Sequence, residues 1–434
     1  MIFGLLVLLI AFMGAYYIAN NREVLSATLI MTAIYVVMVI FAIAARSYYD
    51  IDDISFKTVA IVMMSLVFFG IGEYAGRYGY FKEVNTVPQS HLPHDNEIYL
   101  STAFTLIIAI FSIAVAYYSF TDIMRFAMRS GLVGDFNQVF SRLRGWITRG
   151  IVVYERGTLL NQLVLLDEAF CYMYVYILAH NYIYCKKVRV LYFFPVVPYF
   201  IVLFSTTGRT DFIEFFVVTA FIIFILLKAK HGWVTNVNRR IARIGLITLV
   251  AFYLVFRLAG RATMKTDLFG FVENIYTYFA CSIYGFDSFI TSNYSNSSFF
   301  GAQTLRSLYI ILNLFKFNIP LVAQFNPEYA IGNTQTVMLT GLFRPILDYT
   351  VIGMLLTRVF VGFLYGLLIK KARRIHPHNF VAIVFVGYVF YPLVMNPLSD
   401  IFGKLMSFGI LYRFFYLWIV NKYILRKHIR EVEE

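Results

Sequence analysis

Charge is what this sequence has least of. Only 14% of its 434 residues are Asp, Glu, Lys or Arg, against roughly a quarter in a soluble globular domain. Cysteine is almost as scarce. The three present, Cys171, Cys185 and Cys281, cannot build a disulfide framework, which excludes a small secreted module. No polar linker divides the chain, although a soluble protein of this length normally splits into two or more domains. There is no GxxxxGK[ST] loop, no GxGxxG turn after a strand and no GxSxG elbow, so nothing indicates ATP, a nicotinamide or a serine hydrolase. Metal spacing is poor as well. His91 and His94 stand either side of Leu92 and Pro93, and His376 and His378 either side of Pro377.

What fills the chain instead is apolar. Sixty per cent of residues are hydrophobic, with 45 Phe and 33 Tyr, and the mean hydropathy is +0.71. A soluble enzyme and a disordered chain are thereby excluded, and most of the protein belongs in a bilayer. Runs of about 20 apolar residues occupy 2–18, 25–45, 58–75, 99–119, 158–184, 188–206, 211–228, 242–259, 349–369, 379–395 and 405–423. They predict an all-α, polytopic transmembrane helix bundle of about eleven spans, forming a single integral membrane domain over 1–434. The first run has no basic residue before it and no small-residue cleavage site after it, so we expect a retained span and not a signal peptide.

The net charge of +13 has to be read against topology before it says anything about partners. One alternating set of connections carries 19 Lys and Arg; the other carries four in its short connections and 12 in two long segments, 121–157 and 257–345. Long loops cross the membrane with little regard to charge, so the short connections decide. We therefore expect the N-terminus outside, the tail from Lys422 inside, and two long external loops, 121–157 and 257–348.

Both loops contain chemistry. The first has six arginines and no lysine. Arg142, Arg144 and Arg149 could share one side of a short interfacial helix, with Phe140, Leu143 and Trp146 toward the lipid headgroups. The same arginines also suit an anion clamp, since the guanidinium fork meets phosphate oxygens bidentately. The second loop supplies rings at Tyr276, Tyr278, Phe279, Tyr284, Phe286 and Phe289, and amides at Asn293, Asn296, Gln303 and Asn333. Such a set fits either the faces and hydroxyls of a sugar or a small internal core. In "STTGRTDFIEFF", Arg209 follows a glycine and precedes Asp211 at a helix start, where free N–H groups favour an anion. Arg358 and Arg413 lie mid-span, where a guanidinium costs several kcal/mol unless paired or wetted. Asp167, Glu168 and Glu214 are the candidate partners. Asp50 and Asp52 in "YYDIDD" could hold a divalent cation or simply form a solvated acidic loop.

Three segments, in order, resemble the Wzy-type polymerases of O-antigen and capsule repeat units. They are "TTGRTDFIEFF", "YTYFACSIYGFDSFITSN" followed by "GAQT", and an Asn/Thr-rich stretch leading into "ILDYTVIGMLLTRVFVGFLYGLLI". They cover about residues 200–370. One departure is "DYTVIG", where the family more often has a glycine soon after the aromatic.

The resemblance implies a GT-C-like membrane glycosyltransferase in the bacterial cytoplasmic membrane. Such an enzyme moves a growing glycan from undecaprenyl diphosphate onto a fresh lipid-linked repeat unit at the outer face. Donor and acceptor would both be undecaprenyl-diphosphate-linked oligosaccharides, with membrane lipid around them. A chain-length regulator and a flippase would be partners, and no cofactor, metal or nucleic acid is called for. Lipid diphosphate is a good leaving group, so the main catalytic demand is stabilising phosphate charge. On this resemblance Arg209, Arg257 and Arg261 hold the diphosphates, while Arg142, Arg144 and Arg306 guide the second lipid. Asp348, Asp267 and Asp211, in falling order, are candidate bases. Three rivals stay open: an O-antigen ligase, a lipid-linked oligosaccharide transporter or flippase, which would show internal repeats and broken helices, and a scaffold of an envelope complex.

Overall fold

The computed structural model describes residues 1–78, 97–148, 151–206, 210–233, 276–325, 327–336 and 338–425. These form α1 (Ile2–Ala19), α2 (Ala27–Tyr49), α3 (Phe56–Tyr78), α4 (Thr102–Arg129), α5 (Phe136–Thr148), α6 (Thr158–His180), α7 (Val196–Ser205) and α8 (Thr210–His231). There follow α9 (Cys281–Thr291), α10 (Arg306–Leu314), a hairpin of β1 (Tyr329–Ile331) and β2 (Thr334–Thr336), α11 (Phe343–Ala372), α12 (Phe380–Met395) and α13 (Phe408–Val420). Seven helices among the described residues are long and apolar enough to cross a membrane, which makes this a polytopic helical membrane protein.

Those seven account for the runs at 2–18, 25–45, 58–75, 99–119, 158–184, 211–228 and 349–369. The run at 188–206 is instead a 3₁₀ turn, Val190–Phe193, followed by the ten-residue α7. The runs at 379–395 and 405–423 become helices of 16 and 13 residues. At 1.5 Å per residue the first is about 24 Å long, short of a hydrocarbon core of about 30 Å, while the second continues directly into a π-helical turn, Asn421–Leu425. Hydropathy registers apolar content and is blind to where helical hydrogen bonding stops. The run at 242–259 lies outside the described residues.

Two compact units divide the chain: Met1–Asn85, Val272–Arg374 and Val389–Ile410 in one, Thr86–Phe271, Ile375–Tyr388 and Leu411–Glu434 in the other. In the first unit α3 and α11 meet backbone to backbone. A Cβ on Gly72 would stand 2.0 Å from the Val359 carbonyl oxygen, and one on Gly362 would stand 2.2 Å from that of Phe69. Gly76 and Gly366, one turn on, are equally closed, by Phe363 and Glu73. Small residues four apart on both helices allow this approach, and in a bilayer dispersion at such contacts drives association.

Glu73 on the same face of α3 is fully buried. It accepts from the backbone N–H groups of Ala27 and Thr28 at 3.2 and 2.7 Å, from the Ser26 and Thr28 hydroxyls, and from Arg77 at 2.8 Å. Its charge therefore sits at the start of α2, where the helix dipole favours an anion. Arg77 goes on to Glu23, Asn20 and the Leu25 carbonyl, and Arg373 pairs with Glu23 as well. Glu23 and the α1–α2 turn are thus tied to the ends of α3 and α11.

In the second unit α4 runs 28 residues, about 42 Å, well beyond a bilayer core. α5 packs along the overrun. Phe140 and Leu143 of α5 are buried against Ile123, Ala127 and Leu132. The expected short helix is present, but these two side chains face protein and not lipid headgroups, because the projecting end of α4 offers them apolar surface.

Candidate functional site

Asp348 is where two of the motif segments meet. Its carboxylate accepts from the Gln303 N–H at 3.1 and 3.0 Å, the Thr304 N–H at 2.7 Å and the Thr304 hydroxyl at 2.8 Å. The Thr304 hydroxyl also meets the Tyr349 hydroxyl at 2.7 Å. The "GAQT" turn, opened by Gly301 at φ +68°, is therefore wrapped around the carboxylate of "ILDY". A carboxylate has about four acceptor positions, and the turn occupies most of them, so Asp348 anchors the loop. The same turn fixes the chain beyond α10: Gln303 bonds Ala323 and Phe325, and the Arg306 Nε–H donates to the Val322 carbonyl at 3.1 Å.

The remaining sequence candidates are dispersed. Arg306 belongs with Asp348 in the first unit. Arg142 is exposed on α5, and Asp211 is half-buried in the first turn of α8, both in the second unit. Arg209, Arg257, Arg261, Asp267 and Arg149 lie outside the described residues, as does the side chain of Arg144. The rings divide in favour of a core. Phe286 and Phe289 are fully buried, and Tyr284 is buried with its hydroxyl donating to the Ala42 carbonyl, so none of the three can stack on a sugar. Asn293, Asn296 and Asn333 stay exposed, while the Gln303 amide is consumed internally. Asp50 caps α2 in a left-handed conformation with its side chain in solvent. No group of three or more His, Cys, Asp or Glu able to hold a metal occurs among the described residues.

The two mid-span arginines have different environments. Arg413, in the second unit, donates through Nε to Glu168 at 3.1 Å and through Nη1 to Glu214. The Tyr388 hydroxyl donates to the other Glu168 oxygen at 2.6 Å, and its ring lies 5.1 Å from the guanidinium. Two of the three anticipated carboxylates thus neutralise Arg413. The third, Asp167, accepts from Ser112 at 2.5 Å instead.

Arg358, in the first unit, is 3% exposed and makes no ion pair among the described residues. It donates to the Gly341 carbonyl at 2.9 Å. With the Asn396 amide turned oxygen-first, Nη1 and Nη2 also donate to Asn396 at 3.2 Å. The Phe402 ring lies 5.8 Å away. Gly341 and Arg358 are 17 residues apart, which in a straight helix would separate them by about 25 Å. They meet because α11 is broken at Thr350, whose φ of 64° and ψ of 179° are not helical. A β-branched residue with positive φ is costly and needs surrounding structure to hold it. The Phe343–Tyr349 turns fold back at this point along the helix that follows. Thr340, Gly341 and Leu342, all buried and non-helical, consequently lie level with Arg358. That level is roughly 12 Å along the helix from the break.

The sequence marked Arg358 by the cost of a mid-span charge but offered no signal for its neighbours. Thr340, Gly341 and Asn396 are ordinary small or polar residues 17 to 38 positions away, brought in by a backbone reversal that hydropathy does not register. Compared with known proteins, the chain matches no family model, no curated protein and no solved structure.

Proposed function

We propose that this protein is a membrane glycosyltransferase that polymerises undecaprenyl-diphosphate-linked repeat units at the outer face of a bacterial cytoplasmic membrane. The observation that carries the reading is the meeting of "GAQT" with Asp348 and Tyr349. Two segments that resemble polymerase motifs, 44 residues apart in sequence, form one hydrogen-bonded unit beside a spanning helix. In this reading the N-terminus is outside and the C-terminus cytoplasmic, so that unit faces the outer side. Arg209, in the short connection before a span, and Arg257 and Arg261 of the second long loop hold diphosphate as the anomeric bond breaks, with Arg306 near the anchored turn. Asp348 positions the loop, and a base for the acceptor hydroxyl comes from elsewhere, with Asp267 next in line. Purified protein incubated with lipid-linked repeat units and no nucleotide sugar should make a ladder of polymers; unchanged substrate would remove the proposal.

A lipid-linked oligosaccharide transporter is the second reading, favoured by one observation: α11 is a broken helix with a buried guanidinium beside the non-helical backbone. Movement of intact repeat units across vesicles containing the protein, with no new glycosidic bond, would select it.

A further inference from the structure

Among the described residues of the first unit, Arg358 is a buried positive charge that no direct ion pair neutralises. Among the described residues neither the buried Nε of Arg358 nor the buried Thr340 hydroxyl has a hydrogen-bond partner of good geometry, the Tyr35 hydroxyl standing beside Thr340. Non-helical backbone at membrane depth is tolerated only where protein covers it or where it lines a cavity or site, and segments 340–342 and 396–401 both run beside Arg358. The carboxylate that bears on this charge electrostatically is Asp400, which also feels Arg344. Asp400 is buried, accepts from the Phe402 N–H at 3.2 Å, and lends its carbonyl to Arg344 at 3.1 Å. Asp400 thus feels two guanidinium groups, Arg344 and Arg358, and the Asp348 carboxylate, and it makes no ion pair with Arg358.

We infer that Arg358, with Thr340 and the Asn396 side chain, forms an intramembrane binding site for a phosphate or diphosphate anion, on which Asp400 acts as an internal brake. The planar fork of Arg358 already spends Nη1 and Nη2 on neutral acceptors, which fixes its plane and leaves Nε–H to donate to an anionic oxygen. Charge is best matched by charge where water is scarce: an anion facing Arg358 exchanges a costly isolated cation for a pair. Two sources share this chemistry, a lipid-linked diphosphate and a free inorganic phosphate. Only the assignment to lipid-linked diphosphate rests on the polymerase reading.

The test uses purified full-length protein in nanodiscs of zwitterionic lipid. It is titrated with farnesyl diphosphate, with inorganic pyrophosphate, and with farnesol as the uncharged control. Wild type should bind at least one of the two diphosphates and should not respond to farnesol. Arg358→Met should abolish that binding and Arg358→Lys should weaken it about tenfold or more, since lysine keeps the charge but has no Nε–H held in a fixed plane to face the anion. Asp400→Asn retains the oxygen that accepts from Phe402 and should tighten binding severalfold. Binding of farnesyl diphosphate alone assigns the site to a lipid-linked ligand, and binding of pyrophosphate alone assigns it to a free anion; either supports the site. No binding to wild type, or equal binding to wild type and Arg358→Met, overturns it. Should both Arg358 variants fail to fold, Asp400→Asn decides, and an unchanged affinity counts against the inference. Diphosphate bound without polymer ladders would retire the polymerase reading and keep the site.

Discussion

Arg413 and Arg358 are the same residue type, each within an apolar helix of its own unit, and the protein treats them in opposite ways. Around Arg413 it supplies two carboxylates and a tyrosine hydroxyl, so a half-buried cation is paired inside the fold. Around Arg358 it supplies a carbonyl, an amide and a ring. Neutral acceptors satisfy geometry without cancelling charge. A matched arginine reads as structure, while a held but uncancelled one reads as a place for something that arrives from outside. The difference also decides what each residue's removal should do.

The largest effect is expected at the matched pair. Arg413→Met leaves Glu168 buried without its ion-pair partner and takes one partner from Glu214, which costs about 3–5 kcal/mol. It should show as a large fall in the thermal midpoint of the purified protein, partly restored by adding Glu214→Gln. A fall of similar size in Arg358→Met would erase the distinction. Next comes the frame that holds the Arg358 side of the comparison. Gly72→Leu drives a side chain into the Val359 carbonyl and should cost about 3 kcal/mol or more, lowering the yield of folded protein while leaving every charge in place. Arg358→Met itself should cost no more than about 1 kcal/mol, because three neutral hydrogen bonds are lost but an unmatched buried cation goes with them.

The smallest effect concerns an ion pair at the surface, which calibrates the buried ones. Arg189, then burial working against it, then Lys187 act on Glu97, and their sum holds its carboxyl below the ordinary range. A lowered folded value means stability that is present above the unfolded carboxylate range and disappears as pH falls through the folded value. With Arg189 43% exposed, the pair is worth under about 1 kcal/mol. Glu97→Gln should therefore lower stability at neutral pH by under about 1 kcal/mol and flatten the acid limb of the unfolding curve slightly, the two proteins converging at low pH.

Much of this frame was legible in the residues. Seven spans follow from apolar length alone, and the partners of Arg413 follow from the cost of its charge, since Glu168 and Glu214 had the same problem in the same low dielectric. Other features were not. Gly72, Gly76, Gly362 and Gly366 pair across nearly 290 residues, and each half of that contact is an unremarked Gly-x-x-x-Gly until the other is known. The reversal at Thr350 runs against local preference, so no propensity could point to it. Asp348 looked like a free carboxylate because its four hydrogen bonds come from a turn 44 residues away. Phe140 and Leu143 were assigned to lipid because amphipathic patterning marks a face without naming what covers it.

One measurement bears most directly on the claim that the Arg358 guanidinium is held for a substrate. Polymer formation from lipid-linked repeat units, normalised to folded, membrane-inserted protein, is compared for wild type and Arg358→Lys. The account predicts ladders from wild type and a loss of about a hundredfold in the variant at unchanged protein level, since lysine lacks the fixed guanidinium N–H and a preorganised donor of that kind in the transition state is worth about 3 kcal/mol. Ladders of wild-type length and rate from Arg358→Lys would contradict it.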